Sequence, residues 1–472
     1  MVDAIVVGSG PNGLAAAIMI AREGRSVCVL EAQPTIGGGA RSAELTLPRF
    51  LHDYCSAIHP LAIGSPFFRN LPLPRHGLEW IQPDLALAHP LDDGSAAILS
   101  RSLEETCLSL GEDGRAYRQV LEPLLQRWEV LAAEFLQPII HLPKHPWLLA
   151  RFGLLAVQSA AGLTRRHFRG ERARALLAGL AAHSFLPLEA PGSASIGLVL
   201  AMMGHAVGWP IPRGGSQKIS EALAAYLLEL GGVIKTGHSV QDIRELENAR
   251  AVLLDLTAWR ASCVAASRLP TAYRERLERF PHAPSVFKID YALNGPIPWK
   301  ADKCRCAGTV HLGGTFAEIA TSERAVARGE VPSRPFVLLA QQSLFDQTRA
   351  PAGKHTVWAY CHVPRGCLSD VSIAIETQIE RFAPGFSDLI LARHTSSPFT
   401  LESHNVNLDG GDISGGANDL WHLIARPTFN AVPYRTPTRG IYLCSSSTPP
   451  GGGVHGMCGY HAARATLARE LR

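Results

Sequence analysis

The first 31 residues constrain the fold of this chain more than any other part of it. The β-branched run 5–7 predicts a buried strand, and a G-x-G-x-x-G pattern follows directly at 8–13. A helix is expected from there to Gly24, and a second apolar strand, 26–30, closes on Glu31. Strand, glycine loop, helix, strand and terminal acid within one unit predict a Rossmann-type α/β fold that binds a dinucleotide.

Each position of the glycine loop has a physical role in that prediction. Gly8 permits the tight turn, Gly10 lets the backbone approach a pyrophosphate, and Gly13 lets the helix pack closely on the strand. Pro11 and Asn12 open the helix, where free N–H groups and the helix dipole attract phosphate. The loop therefore predicts a phosphate cradle.

The fingerprint alone does not choose between FAD and NAD, but Glu31 argues against NADP at this site. It stands about 20 residues after Gly10, where a carboxylate accepts hydrogen bonds from both hydroxyls of an adenosine ribose. The same charge would repel a 2′-phosphate, which argues against NADP. The neighbouring Ala32 is assigned to the same site.

Three further landmarks lie along the chain. A second glycine-rich loop at 36–42 can close over a pyrophosphate, with Arg41 as a cation. The segment 208–216 ends in Pro-Arg-Gly-Gly-Ser and precedes an amphipathic helix and the strand 233–236. Near the end, an apolar strand enters a glycine-rich turn at 451–459 and then a helix, which predicts a second anion cradle.

These landmarks together resemble the phytoene desaturase and amine oxidase superfamily of flavoproteins over nearly the whole chain. Several shorter pieces carry the same resemblance: 55–60 (CSAIHP), 206–210 (AVGWP), 287–290 (FKID), 349–355 (RAPAGKH) and 447–456 (STPPGGGVHG).

The resemblance implies FAD as a non-covalently bound cofactor. It places Val240 beside the adenine, and it places backbone N–H groups of the C-terminal turn near N1 and C2=O of the isoalloxazine. The FAD contacts implied beyond the first fingerprint are Gly38, Gly39, Arg41, Ser42, Gly215, Val240, Thr448, Gly452, Gly453, Val454 and Met457.

Two domains are expected, each discontinuous in sequence. The substrate domain is predicted to combine a mainly helical segment, 100–207, with a strand-rich segment, 284–365, whose strands are expected at 285–293, 307–312, 336–341 and 356–363. The FAD-binding domain takes 1–75, 208–265 and 430–472, and the α+β substrate or cap domain takes 76–207 and 266–429.

The resemblance implies hydride transfer from a largely apolar substrate to flavin N5, as in a desaturase. An amine or alcohol oxidase, a redox-neutral flavin-dependent isomerase, and a regulatory flavoprotein without turnover stay open as alternatives. NAD(P)H is not expected as the direct partner, because the chain holds only one complete dinucleotide fingerprint. The electron acceptor is left open between oxygen, a quinone and another protein.

Two histidines are candidates for proton exchange beside the flavin. His59 follows the segment 53–56, and His455 lies inside the C-terminal glycine turn. Asp412, within a run of glycines, is a third candidate, although its glycines could equally serve backbone packing. No metal-binding cluster is predicted from the spacing of cysteines and histidines.

Composition limits the partners of the chain. The net charge of +4 over 472 residues gives no support for nucleic-acid binding. No apolar run reaches the roughly 18 residues of a membrane span, and scattered cysteines suit a reducing cytoplasm. The segment 128–166 combines apolar faces, tryptophans and flanking arginines, so it is expected either to lie at a membrane surface or to form a buried pair of cap helices.

Overall fold

A computed structural model of the protein describes residues 2–472. It contains two large sheets, two small two-stranded sheets and a set of helices. The strands are β1 Val2–Val7, β2 Val27–Leu30, β3 Ser42–Glu44, β4 Leu51–Asp53, β5 Trp80–Ile81, β6 Leu85–Pro90, β7 Ala96–Leu99, β8 Ile211–Pro212, β9 Val233–Lys235, β10 Ala249–Leu254, β11 Ser285–Leu293, β12 Ala307–Leu312, β13 Val337–Ala340, β14 His355–Val363, β15 Ile390–Ser396 and β16 Ile441–Leu443.

The α-helices vary from single turns to 14 residues. They are α1 Pro11–Arg22, α2 Pro60–Gly64, α3 Pro66–Arg69, α4 Leu103–Ser109, α5 Gly114–Leu125, α6 Trp128–Phe135, α7 Pro146–Ala156, α8 Ala160–His167, α9 Glu171–Ala182, α10 Ser193–Ala206, α11 Gln217–Glu229, α12 Ala258–Val264, α13 Thr271–Glu278, α14 Phe316–Ala327, α15 Ser372–Phe382, α16 Pro398–His404, α17 Leu420–Ile424 and α18 Met457–Arg469.

The first sheet is parallel throughout and has the order β16-β10-β1-β2-β9. Its strands come from the beginning, the middle and the end of the chain. The helices α1, α11 and α18 share a buried apolar cluster on one face, and α12 and α13 pack on the other. This two-sided arrangement confirms the predicted Rossmann-type α/β fold.

Close backbone packing fixes the position of α1. A Cβ on Gly13 would stand 2.1 Å from the carbonyl oxygen of Gly8, and a Cβ on Gly459 would stand 1.8 Å from that of Asn12. Both contacts exclude any side chain, so the glycines hold α1 against the end of β1 and against α18. The contact of Gly13 with Gly8 is the close packing of helix on strand that the glycine fingerprint predicts.

The second large sheet is mixed and has the order β15-β11-β14-β13-β12-β6-β7. Only the pair of β12 with β6 is parallel. All nine residues of β11 are buried, because both faces of this strand are covered. The strands β11 to β14 lie within one or two residues of the segments predicted from sequence.

A helical cap covers one side of the molecule. The helices α4 to α10 follow one another between residues 103 and 206, in the segment predicted to be mainly helical. They share an apolar core with β6 and β7. Among residues 2–472, no single helix is both long and apolar enough to cross a bilayer. The pair α7 and α8 would suffice together, but it is bent by 96° at its junction.

Candidate functional site

A cavity of about 860 Å³ opens at the carboxyl edge of the parallel sheet. Ligands of open α/β sheets bind at this edge, because the loops that leave the strands converge there. The cavity continues between the mixed sheet and the helical cap. The walls of the cavity therefore differ along its length. One side is formed by loops of the parallel sheet, and the other lies between the cap and the mixed sheet.

The glycine-loop side is formed by turns of the Rossmann domain. Its lining residues are Gly8, Ser9, Gly10, Pro11, Asn12, Glu31, Ala32, Gln33, Gly38, Gly39, Arg41, Val240, Asp255, Gly452, Gly453, Val454 and His455. Most of the predicted cofactor contacts thus meet on one wall, although they come from both ends and the middle of the chain.

The two N-terminal glycine loops lie directly against each other. Gly8 has a φ of +102°, and the turn delivers Gly10 to the N-terminus of α1. A Cβ on Gly38 would stand only 3.1 Å from the Cα of Gly10. The second loop therefore rests on the first, and backbone N–H groups and the α1 dipole face the cavity without side chains between.

Glu31 is buried at the end of β2 and organises this wall. Its Oε2 accepts hydrogen bonds from the N–H and the hydroxyl of Ser9, the former at 2.9 Å, and its Oε1 accepts from the N–H of Gln33, also at 2.9 Å. The carboxylate thus ties the first loop to the loop after β2. It also faces the cavity, where the prediction places an adenosine ribose.

Arg41 supplies a buried positive charge to the same wall. Its Nε donates to the carbonyl oxygen of Gly38 at 2.9 Å, and Nη2 donates to that of His404 at 2.6 Å. No carboxylate among the described residues pairs with it, and burial lowers the pKa of the guanidinium. A buried cation held only by carbonyl oxygens favours a bound anion.

Asp255 is a functional residue that the sequence analysis missed. It follows β10, and its Oδ2 accepts a hydrogen bond of 2.9 Å from the N–H of Gly13, inside the first turn of α1. Burial raises the pKa of Asp255 to about 7, and the Gly13 bond offsets only part of this effect. An acid closing the apolar run 251–254 was the signal that could have identified it.

The C-terminal turn is braced by His455. The ring Nε2–H donates to the carbonyl oxygen of Gly451 at 3.1 Å, and Nδ1 accepts from the N–H of Met457 at 3.0 Å. Burial lowers the pKa of His455 to about 4. Both ring nitrogens are thus engaged by the backbone of the turn, and proton exchange by this histidine beside the flavin stays a prediction.

His59 also lies on the cavity wall. Ser216 Oγ donates to the carbonyl oxygen of Ser56 at 2.6 Å, so His59 Nε2–H is the donor in its 2.8 Å bond to Ser216. The opposite nitrogen, Nδ1, has no hydrogen-bond partner among the described residues. Burial lowers the pKa of His59 to about 4, which favours the neutral ring, and a role of this histidine in proton exchange stays a prediction.

The carboxylate of Asp412 binds the backbone of its own glycine run and of Ala283. The carboxylate accepts hydrogen bonds from four backbone N–H groups at 2.7–3.2 Å. These belong to Ala283, Ser414, Gly415 and Gly416. With its lone pairs used in this way, Asp412 fixes the glycine run 410–416, the alternative stated from the sequence.

Five predicted cofactor contacts do not reach the cavity wall. Gly13 lies inside α1, and Gly215, with a φ of +102°, packs on Ser42. Ser42 donates to Asp53 at 2.6 Å, Thr448 donates to the carbonyl oxygen of Ser445 at 2.7 Å, and the N–H of Met457 is bound to His455. These residues shape the loops that do line the cavity.

The apolar side of the cavity lies between the cap and the mixed sheet. Its hydrophobic lining residues are Phe135, Leu136, Ile139, Phe152, Phe185, Ile196, Val199, Leu200, Leu338, Trp358 and Tyr360. Among all lining residues of the described chain the only acids are Glu31 and Asp255, and both belong to the glycine-loop side. The apolar side therefore offers no carboxylate to a ligand.

A cluster of buried histidines adjoins the apolar side. His183 lines the cavity, and its Nε2 lies 3.1 Å from the Nε2 of His311, while His362 Nδ1 lies 2.7 Å from a carboxylate oxygen of Glu323. Burial lowers the pKa of His183 to about 3. No group of three or more ligating side chains in residues 2–472 could hold a metal ion.

Comparison with known sequences gives relatives over the full length of the chain. Residues 6–69 match the model of an NAD(P)-binding Rossmann-like domain. The chain is 27% identical to pyridine nucleotide-disulfide oxidoreductase domain-containing protein 2 of Mus musculus, covering 100% of this chain and 94% of that protein. It is 25% identical to the phytoene desaturase of Fusarium fujikuroi, with coverage of 95% and 86%.

Solved structures confirm the fold. An oxidoreductase from Methanosarcina mazei superimposes with a TM-score of 0.68 at 16% identity, covering 99% of this chain and 100% of that one. Putrescine oxidase bound to putrescine gives a TM-score of 0.64 at 15% identity, with 99% of each chain covered. The resemblance to phytoene desaturases and amine oxidases stated from the sequence is thus confirmed.

Proposed function

We propose that this protein is an FAD-dependent oxidoreductase that removes hydrogen from a largely apolar substrate and introduces or shifts a C=C bond. The observation that carries the proposal is the single cavity, which joins a dinucleotide cradle to an apolar space without a charged residue between the cap and the sheet. Its relatives and structural neighbours are oxidoreductases, which supports the activity class.

The residues of the glycine-loop side fit FAD. The α1 N-terminus and Arg41 suit a pyrophosphate, and the Glu31 carboxylate suits a ribose that carries two free hydroxyls. Val240 is buried on the same wall, next to the predicted position of the adenine. Bound FAD supplies the hydride acceptor, which no side chain can provide.

The chain's own residues would position the substrate and exclude water. Trp358 is fixed, since its Nε1–H donates to the carbonyl oxygen of Cys55 at 3.0 Å, and its ring meets that of Tyr360 edge to face at 4.9 Å. Such rigid aromatic walls hold an apolar chain in one orientation. His59 also lines the cavity and has a buried Nδ1 without a partner among the described residues, so it is the candidate proton acceptor under this proposal.

An amine oxidase is the main alternative, and the structural likeness to putrescine oxidase favours it. A protonated amine needs an acid or an aromatic cage to offset its charge. The apolar side has no acid, and the neutral His183 on its wall supplies no negative charge either. The lack of an acid therefore favours an uncharged substrate. It disfavours an amine, and it equally disfavours an alcohol that carries an ammonium group.

Anaerobic mixing of the FAD-loaded protein with candidate lipids, polyenes and amines tests the proposal. Bleaching of the flavin absorbance by a lipid that can be desaturated supports it, and bleaching by amines alone refutes it. Products must also be identified by mass and NMR, because a redox-neutral isomerase would convert substrate without net bleaching. If no compound bleaches the flavin and none is converted to a product, the result would favour a regulatory flavoprotein.

The source of electrons is tested separately. Only one complete dinucleotide cradle is present, and under this proposal FAD fills it. Rapid reduction of the flavin by NADPH at micromolar concentration is therefore not expected. All ten cysteines are free thiols, which supports placing the reaction in a reducing cytoplasm.

A further inference from the structure

The cap carries a large apolar surface that no other part of the chain covers. Five of its side chains are strongly exposed, from the loop before α7 to its last turns. They are Ile139 at 49%, Ile140 at 41%, Leu142 at 95%, Trp147 at 88% and Leu154 at 72%. Scattered exposed leucines need no explanation, but five exposed apolar side chains within residues 139–154, a tryptophan among them, indicate a contact surface.

The helix α7 is apolar on both faces. Phe152 and Ala156 point inward and are buried in the core of the cap. Trp147, Arg151 and Leu154 are spaced at four and three residues, so they form one outward stripe. A surface helix normally places polar side chains on that face, and here only the arginine does so.

The charge along the cap segment 136–170 has one sign, whereas at α17 the acid Asp419 is paired with His422. Between residues 136 and 170 there is no aspartate or glutamate, whereas five cations are present: Lys144, Arg151, Arg165, Arg166 and Arg169. The nearest preceding acid, Glu134, is buried and paired with His141. An apolar patch with a basic margin complements an anionic lipid surface.

A second exposed apolar element adjoins the first. Leu420 of α17 packs on Gly192, whose N–H donates to the carbonyl oxygen of Val157 at 3.0 Å. This contact brings Trp421, 61% exposed, and Phe429, 67% exposed, to the α7 side of the molecule. The rings of these two residues lie parallel, 6.5 Å apart.

Both elements also reach the cavity. Leu136, Ile139 and Phe152 line it from the α7 side, and Leu423 lines it from α17. The same short segments therefore have an outer apolar face and an inner face on the cavity. The exposed apolar surface therefore borders the cavity wall, most directly at Ile139.

We propose that this surface, made by residues 139–157 together with α17 and Phe429, docks the protein on one leaflet of an anionic lipid bilayer. Under this proposal the protein lies on the bilayer and no helix of it crosses the bilayer. With 11 residues, α7 is about 16 Å long, roughly half the hydrocarbon thickness, and it bends by 96° into α8. The proposal deepens the proposed function, because docking would deliver a lipid-soluble substrate, but the binding itself needs no turnover.

Co-sedimentation of the FAD-loaded protein with lipid vesicles tests this proposal. Vesicles of phosphatidylcholine alone are compared with vesicles that contain about one-third phosphatidylglycerol. We expect at least about tenfold stronger binding to the anionic vesicles, with most of this preference lost at about 0.5 M salt. Absence of binding to the anionic vesicles would overturn the proposal.

Paired variants separate the surface from the rest of the molecule. Trp147→Ser combined with Leu154→Ser should lower vesicle binding at least about tenfold while FAD content and melting temperature stay unchanged. Lys144→Gln combined with Arg151→Gln should remove mainly the preference for anionic lipid. The control, Leu368→Ser with Ile373→Ser, changes side chains that are 84% and 79% exposed elsewhere, and it should bind like the wild type.

Two results would refute the assignment of this surface. Equal vesicle binding by the Trp147/Leu154 variant and the control would place the contact elsewhere. A concentration-dependent dimer in sedimentation velocity that the variant abolishes, without vesicle binding by the wild type, would assign the surface to a second copy of the chain. Neither result depends on a substrate, so failure here is distinct from failure of the proposed activity.

Discussion

The buried carboxyl of Asp255 should make the stability of this protein depend on pH in an unusual direction. Its pKa is raised from 3.8 to about 7, because the side chain is withdrawn from water at the base of the glycine loop. In the unfolded chain the carboxyl regains its ordinary pKa. A difference of about three pKa units corresponds to roughly 4 kcal/mol of unfolding free energy, at about 1.4 kcal/mol per unit.

The sign follows from the folded state binding the proton more tightly. The stabilisation from protonated Asp255 is fully present below about pH 4 and is lost as pH rises towards about 7. Asp255→Asn removes the titration but keeps an oxygen that can accept from Gly13 N–H. The unfolding free energy of the variant, relative to that of the wild type, should therefore increase with pH. The increase from pH 4 to pH 8 should reach up to roughly 4 kcal/mol.

Urea unfolding of the two proteins side by side, from pH 4 to pH 8.5, measures this difference. Asp302→Asn is the matched control, because that side chain is 96% exposed and its loss should leave the pH profile unchanged. FAD should steepen the profile, since a pyrophosphate beside α1 would disfavour the carboxylate further. A free-energy difference between the Asp255→Asn variant and the wild type that is constant over this range would refute the reasoning.

Three other substitutions have defined outcomes. Glu31→Ala should weaken FAD binding by about 1.5–3 kcal/mol in titrations of the flavin-free protein, with a smaller loss for Glu31→Gln; unchanged affinity would remove Glu31 from the site. His455→Ala should lower FAD occupancy and stability by about 1–3 kcal/mol without moving the midpoint potential, measured on the same preparation, because the ring is neutral and braces the turn. Arg349→Met should destabilise the protein by about 3–5 kcal/mol in urea, since Asp53 and Asp346 would keep buried charges without a partner; a loss below about 1 kcal/mol would contradict this.

The local parts of the fold could be predicted from the sequence because short-range physics determines them. The glycine fingerprint, the helix after it and the strands of the mixed sheet are visible as spacing and apolar runs, and β12 occupies the predicted residues 307–312. The Rossmann sheet could be assembled from distant pieces only through resemblance. The boundaries drawn between the two domains remain a prediction.

The site was less accessible to prediction, and the reason is geometric. A histidine inside a glycine turn can face a ligand or its own backbone, and His455 does the latter because the turn presents an N–H and a carbonyl oxygen to its two nitrogens. Asp412 is likewise satisfied by four N–H groups. Asp255 depends on a contact with Gly13 across 242 residues of sequence. None of these orientations follows from residue type or local spacing.

A fully buried cluster of ion pairs connects glycine-rich segments that are far apart in the sequence and joins them in one wall of the cavity. Arg349 Nη1 donates to Asp53 at 2.9 Å, and its Nε donates to Asp346 at 3.0 Å. Asp53 in turn accepts from the N–H of Ser216 at 2.7 Å, while Asp346 accepts from the N–H of Gly214, also at 2.7 Å.

Burial by itself would raise the pKa of Asp53, but the charge of Arg349 and the hydrogen bonds lower it, so the carboxylate stays ionised. A buried charge cluster of this kind is costly to assemble and adds little stability over an apolar core. Its value lies in geometry, because each bond fixes one glycine-rich segment relative to another. The loop 36–42, the segment 208–216 and the run 349–355 are spaced far apart in the chain, and the cluster holds them in the register that the cofactor wall requires.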